Sequence, residues 1–354
     1  MATTQQTSDP SQAQGAQIPL QNFHIPTFPP EAGALQALTL TSDISLTSYQ
    51  DLLAQPYSIP RLPPAIQSLT LELFSLGYPA GFLEELAAKL PNVRSLIVYS
   101  QLLGGLSDTS AADAVALFER LRSLRGLHLL DVFARKGFFE QVAPYVTYNG
   151  SEKESEARRG LMFLEVNYTT QNGDEEFLSK VPATELPLLI GPGLVTLALN
   201  VSEPDVTNDP EDPNNASRVQ EISDDQDDAK DEVGKDGIMT FNRTLSPALV
   251  KALTEEESRP RNLRVLNTTL YTVTLHSLEK ILEKQSALMV LMITLEVEDG
   301  PACKKHLIQL LEKYGEKLEQ VEVVVSPGLQ FFMAVSLLSH SLSDQRQTLT
   351  LSRS

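Results

Sequence analysis

The sequence predicts an α/β fold in which parallel strands and helices alternate along one elongated solenoid, strands on the concave side and helices on the convex side. Three observations predict it. A short apolar motif recurs along the chain, and segments with helical apolar spacing separate its copies. Leucine is the commonest apolar residue, whereas aromatic residues make up only 6% and Trp is absent. With 354 residues, 42% of them hydrophobic, the chain can bury a sizeable core.

The recurring motif is apolar-x-x-apolar-x-apolar, and its copies begin at positions 35, 66, 93, 124, 161, 194, 263, 288 and 318. Successive copies start 25 to 37 residues apart, except for one interval of 69 that contains an acidic insertion. The copy at Leu263 has Thr268 in its third apolar place, and Leu349 with Leu351 forms half of a tenth copy. Because residues two apart share a strand face, each copy predicts a strand with one buried face. One unit cannot cover that face alone, so neighbouring units must stack on it.

Between the motifs, four segments carry apolar residues at the i, i+3, i+4, i+7 spacing of amphipathic helices. They are residues 82–90, 114–121, 275–282 and 307–311. A strand followed by a returning helix and another strand predicts right-handed crossovers and a parallel sheet.

Two stretches, LPNVRSLIV at residues 90–98 and RPRNLRVLNTTL at residues 259–270, resemble the leucine-rich-repeat family. The resemblance is to its irregular ribonuclease-inhibitor-like and F-box-associated types, and it covers roughly residues 31–351. It implies an arc of βα units that binds proteins. The Asn or Cys that the family carries after the strand is missing from most copies here, so a doubly wound α/β domain stays open as the alternative fold.

The chain divides into a tail, a solenoid and an insertion. Residues 1–30 are rich in Gln, Thr, Ser and Pro and are expected to be a disordered tail, whereas residues 31–354 form the solenoid. Residues 203–236 hold thirteen acidic and three basic residues and almost no large apolar residue. Such a segment cannot bury enough surface to offset its ordering entropy, so we expect a disordered acidic loop. It is interpreted as a solvated insertion, with a docking segment for a basic partner as the alternative.

Composition also restricts the function. The formal net charge of −18 argues against nucleic acid or an anionic membrane surface as the main partner. Searches for G-x-S-x-G, Walker A, H-E-x-x-H and C-x-x-C motifs find none, and no pair of histidines has metal-ligand spacing. No catalytic, cofactor or metal site is therefore expected. The first basic residue is Arg61, so neither a secretory signal nor a transit peptide is expected, and a cytoplasmic or nuclear location is.

The predicted binding surface follows from strand alternation. Residues next to the buried positions of each motif point away from the core, toward the concave side. The sequence also contains six Asn-x-Ser/Thr sequons. The asparagines of three of them, Asn167, Asn200 and Asn267, are interpreted as turn residues that follow strands. The side chains predicted to contact a protein partner are Ser68, Thr70, Ser95, Ile97, His128, Glu165, Thr196, Met292 and Glu322.

The function predicted from these features is a non-catalytic protein–protein interaction module, an adaptor or scaffold. The resemblance to F-box-associated proteins further implies a substrate receptor for ubiquitin ligation, although no F-box domain is visible in the sequence. Two alternatives remain. One is an enzyme on a doubly wound α/β fold with an unrecognised pocket at the carboxyl ends of the strands. The other is an acidic chaperone for basic proteins that acts through residues 203–236.

Overall fold

The computed structural model describes residues 15–147, 160–169, 180–202, 246–296, 301–314, 317–326 and 332–336. Within these residues eleven strands form one sheet, and the order of the strands in space is their order in the sequence. The strands are β1 (Gly15–Leu20), β2 (Ala37–Ser42), β3 (Ser68–Glu72), β4 (Ser95–Leu103), β5 (Gly126–Ala134), β6 (Phe163–Thr169), β7 (Thr196–Ser202), β8 (Val265–Thr274), β9 (Val290–Glu296), β10 (Gln320–Ser326) and β11 (Phe332–Ser336). Strands β1 to β10 are mutually parallel, and β11 pairs antiparallel with β10.

Helices alternate with the strands. They are α1 (Leu46–Leu53), α2 (Phe82–Ala88), α3 (Asp108–Arg120), α4 (Phe138–Val146), α5 (helical residues 246–254), α6 (Leu275–Lys284) and α7 (Pro301–Tyr314), with 3-10 helices at Pro30–Ala34 and Leu186–Leu189. Helices pack on their sequence neighbours: α2 on α3, α3 on α4, α4 on the second 3-10 helix and α6 on α7. The four segments with helical spacing correspond to α2, α3, α6 and α7, as predicted.

The apolar motifs build the core as predicted. Their second and third apolar residues stand side by side in register, so that Leu69 neighbours Leu96 and Leu71 neighbours Val98 on adjacent strands. These side chains are fully buried and belong to one continuous cluster with the inner faces of the helices. Each fully buried Leu contributes roughly 1.5–3 kcal/mol. The fold is therefore an α/β solenoid in which every repeat completes the core of the one before it.

A strand order without reversal excludes the doubly wound alternative, because that fold places later strands on both sides of the first one.

Polar bridges also link the repeats. The Gln101 side chain, three residues after the β4 motif, donates to the Leu71 carbonyl at 2.9 Å and accepts from the Tyr78 hydroxyl at 2.7 Å. Thr268 fills the third apolar place of its motif, where it is buried opposite Ile293.

The prediction of a disordered tail over residues 1–30 is wrong for residues 15–30. Strand β1 pairs with β2 along its whole length, and Phe23 is 2% exposed. The Phe23 ring lies within 6.4 Å of the rings of Tyr49, Phe74, Tyr78 and Phe82. Burial of these large rings stabilises a segment whose polar composition suggested disorder. An aromatic cluster therefore fills the first repeats, where the sequence predicted leucine layers throughout.

Several predicted features lie outside the described residues: residues 1–14, the acidic loop at 203–236, and the half-motif at Leu349 and Leu351. Over the described part of the chain, every helix is too short or too polar to cross a bilayer.

Candidate protein-binding face

The outward-pointing side chains of the sheet form a continuous surface, which we call the strand face. Along each strand, buried residues alternate with partly exposed ones, as in β3, where Leu69 and Leu71 are buried while Ser68, Thr70 and Glu72 are half-exposed. The parallel register places equivalent outward residues of successive strands in straight rows across the sheet. A partner could therefore contact many repeats at once.

All nine residues predicted to contact a partner lie on the strand face and are half-exposed. They fall into two adjacent rows. The first row crosses β3, β4 and β7, and the second crosses β3 to β6 and continues on β9 and β10. The first contains Ser68, Ser95 and Thr196, and the second contains Thr70, Ile97, His128, Glu165, Met292 and Glu322.

At the middle of the strand face, three side chains of β5 and β6 hold one another in place. The His128 imidazole stacks on the Phe163 ring with 4.8 Å between ring centroids. Its Nδ1–H donates to the Glu165 carboxylate at 2.8 Å. Both members of this pair are partly exposed, His128 at 25% and Glu165 at 33%, so they are accessible to a partner while their geometry is fixed.

Asparagines extend the polar part of the face across β6, β7 and β8. Asn167, Asn200 and Asn267 lie inside these strands as outward residues, so their interpretation as turn residues is wrong. The Asn200 amide donates to the Asn267 side-chain carbonyl at 2.8 Å in the orientation that satisfies both groups. The amides therefore form a lateral contact between repeats and remain partly exposed.

Strands β4 and β5, and the residue that follows β3, share a backbone irregularity at one position. Leu73, Ser100 and Asp131 have left-handed φ angles of 62°, 50° and 51°. On either side of this position the side chains return inward only after three residues, for example from Val98 to the buried Gln101. The register of β4 and β5 is the same on both sides of it, Tyr99 with Leu130 and Gln101 with Val132, so the extra residues lie opposite one another; we call this position the bulge row. At this row each of the three strands therefore has an extra residue between its inward positions.

The bulge row carries apolar side chains that are open to solvent. Leu73 is 45% exposed and Tyr99 is 40% exposed, and the register places Tyr99 between Glu72 of β3 and Leu130 of β5. Asp131, by contrast, is fixed by the next strand, because its carboxylate accepts hydrogen bonds from the Thr169 backbone amide and hydroxyl at 2.6 and 3.1 Å.

Charge is distributed unevenly over the sheet. None of the eleven described strands contains Lys or Arg, whereas five acidic residues lie within them. Arginines instead occupy the turns immediately before three strands, at Arg94, Arg125 and Arg264. The strand face is therefore neutral to anionic, and these three arginines lie at its amino-terminal edge. The acidic strand residues are Glu72, Asp131, Glu165, Glu296 and Glu322.

Besides the three asparagines, sequence reasoning missed four residues of the face: Leu73, Tyr99, Leu130 and Phe163. Phe163 could have been found, because it precedes the second apolar residue of its motif just as Ser68 and Ser95 do. Tyr99 and Leu130 follow the motif, beyond the residues that define it. Leu73 gives no sequence signal, since leucine is unfavourable at positive φ.

Comparison with known proteins leaves the family open. No family model and no curated protein matches the chain. Among solved structures, the chain is similar to a leucine-rich-repeat protein of Leptospira interrogans. That likeness has 16% sequence identity and a TM-score of 0.29, and it covers 86% of this chain and 73% of the other.

Proposed function

We propose that this chain is a non-catalytic protein-interaction module, an adaptor or scaffold, whose partner binds the strand face. One observation carries the proposal: ten parallel strands in sequence order present their outward side chains in aligned, half-exposed rows, while the helices and the core lie on the other side. Stacked repeats of this kind form extended binding surfaces. A surface that spans many repeats suits a folded protein or a long peptide better than a small molecule.

Charge supports a protein partner over nucleic acid. Nucleic-acid binding depends on Lys and Arg that neutralise phosphates. The described strands contain none, and the whole chain has a net charge of −18. We therefore propose neither nucleic acid nor an anionic membrane as the partner. Separately, we propose the cytoplasm or nucleus as the location.

The proposal is tested by photo-crosslinking from defined positions of the full-length chain. A benzophenone amino acid replaces Thr70, Glu165 or Met292 on the strand face, and Lys280 or Glu283 on the exposed side of α6 serves as the matched control. We expect discrete protein crosslinks in native extract from the strand-face positions, resistant to nuclease, and few from α6. Crosslinks that arise equally from both sets, or only from α6, would contradict the proposal.

A narrower form of the proposal is that the chain is a substrate receptor for ubiquitin ligation, which rests only on the resemblance of residues 90–98 and 259–270 to F-box-associated repeats. Affinity purification under native conditions tests it. Recovery of ligase subunits in stoichiometric amounts supports the narrower role, whereas other stable partners without ligase subunits remove it and leave the interaction module intact.

A further inference from the structure

The bulge row on β3, β4 and β5 stands out from the rest of the strand face because it turns Phe74, Gln101 and Val132 into the core and leaves the Leu73 side chain exposed. A left-handed backbone costs free energy for every residue except glycine, and Asn and Asp tolerate it best. Asp131 fits this preference and uses its carboxylate to bind β6. Leu73 does not fit it: its amide donates to the Tyr99 carbonyl at 3.0 Å and the next residue, Phe74, is buried, but the Leu73 side chain itself is 45% exposed. Strained residues of this kind cluster at functional surfaces.

The side chains around Leu73 form a small patch with a defined chemistry. Tyr99 is 40% exposed and neighbours Glu72 on one side and Leu130 on the other. Tyr is enriched at the energetic centre of protein interfaces, and the neighbouring Leu side chains enlarge the exposed apolar area around it. We call Glu72, Leu73, Tyr99 and Leu130 the bulge patch.

Charge around the bulge patch selects the partner's chemistry. Glu72 is half-exposed, and within the described residues no basic side chain pairs with it. Arg135, which follows β5, already pairs with Asp108 at 2.7 Å. Because the described strands contain no Lys or Arg, the Glu72 carboxylate is open to pair with a cation of a bound partner. Electrostatic complementarity of this kind sets specificity and association rate.

We propose that the bulge patch is the anchoring point of the strand face and that it binds a polypeptide segment in which an apolar side chain is flanked by Lys or Arg. The apolar side chain packs on Leu73, Tyr99 and Leu130, and the flanking cation pairs with Glu72. This inference rests on the proposed function, because it gives the location and the partner chemistry of the same face.

The test selects a displayed library of random 12-residue peptides against the full-length chain. The expected winners combine an aromatic or aliphatic residue with neighbouring Lys or Arg. Leu73→Asn and Tyr99→Ser should each weaken their binding at least 10-fold. Glu72→Lys should weaken it similarly at low salt, with a smaller difference at 1 M salt, where charges are screened. Leu188→Asn is the matched control, since Leu188 is 46% exposed on the 3-10 helix, away from the strands, and should leave affinity unchanged.

Stability separates a binding role from a structural one. Asn tolerates left-handed φ better than Leu, so Leu73→Asn should raise the melting temperature by about 2 °C while it weakens binding. An acidic or uncharged consensus, no selected binder, or winners that bind the Leu73 and Tyr99 variants normally would each overturn the inference. If binders are insensitive to the bulge patch but lose affinity in Ile97→Asp, the inference fails while the strand face stands as the binding surface.

Discussion

Replacement of Asp113 by Ala should loosen the contact between two successive repeats. Helix α2 begins at Phe82, and its N-cap residue, Gly81, has a left-handed φ of 83° and no side chain, so the first amides lack a local cap. The cap comes from α3: the Asp113 carboxylate accepts from the backbone amides of Leu83 at 3.0 Å and Glu84 at 2.9 Å. Asp113 is only 7% exposed, so water does not replace these bonds easily.

The expected loss of unfolding free energy in Asp113→Ala follows from the two hydrogen bonds and from the cost of burying the carboxylate charge. Hydrogen bonds to charged groups contribute about 1.5–3 kcal/mol each, and loss of an N-cap costs about 0.5–2 kcal/mol. Burial raises the pKa of Asp113 despite the two amide donors, which means that desolvation offsets part of the gain. We therefore expect Asp113→Ala to lower the free energy of unfolding by about 2 kcal/mol.

Urea unfolding followed by circular dichroism measures this loss, and hydrogen exchange of residues 82–88 locates it. Asp108→Ala is the control on the same helix, because the Asp108 side chain is 95% exposed and its pair with Arg135 contributes little. Exchange in α2 should rise in Asp113→Ala while exchange in α6 stays unchanged. The reasoning is refuted if Asp113→Ala costs no more than Asp108→Ala, or if the two variants show the same exchange.

Three further predictions test the contacts between repeats. Gly77→Ala should cost about 2–4 kcal/mol by urea unfolding, because φ is +88° and a Cβ would lie 2.7 Å from the Gly105 Cα; Gly33→Ala, which meets nothing within 4 Å, should be nearly neutral. Tyr168→Phe should cost about 1–2 kcal/mol in the same assay, since the buried hydroxyl donates to the Val132 carbonyl at 2.8 Å; a neutral result would contradict the role of that bond. Because the pKa of Asp113 is raised above 3.8 in the folded protein, its contribution to stability is greatest at lower pH and falls as pH rises through the folded pKa. The free energy of unfolding of the wild type minus that of Asp113→Asn should therefore fall between about pH 3 and neutral pH. A rise over this pH range would contradict the prediction.

The strands and their order were predictable because burial imposes a strict spacing on the sequence. A parallel strand that stacks on equivalent neighbours needs the same three inward-pointing apolar residues in every repeat. Leu69, Leu96 and Leu127 occupy one of these positions in three successive repeats. The outward row followed from the same alternation, which is why Thr70, Ile97 and His128 were found without any motif of their own.

Strand β1 was not predictable by that route. Its apolar residues Ile18 and Leu20 alternate, but Pro19 lies between them, and proline within an apolar run argues against a strand. Proline is tolerated here because, among the described strands, β1 pairs only with β2 and lies at the edge of the sheet. The Phe23 ring that helps to hold this segment contacts residues far along the chain, which no local pattern reveals.

Two features of the sites were hidden for different reasons. The sequence carries a weak indication of the role of Asp113. It is a charged residue on the apolar side of α3 next to Ala114 and Leu117, and a buried carboxylate needs hydrogen-bond donors. The bulge at Leu73 gave none, because backbone conformation there depends on the neighbouring strands and contradicts the preference of leucine. The bulge patch therefore emerged only from the structure.

The central claim is that the strand face is exposed in the free protein and covered by its partner. Maleimide labelling of single cysteines tests it most directly, in a Cys303→Ser background with Cys introduced at Thr70, His128 or Met292, and at Lys280 on α6. We predict that all four positions react in the free protein and that saturating partner slows only the three strand-face positions. Protection at Lys280 with undiminished labelling of the strand face would contradict the account.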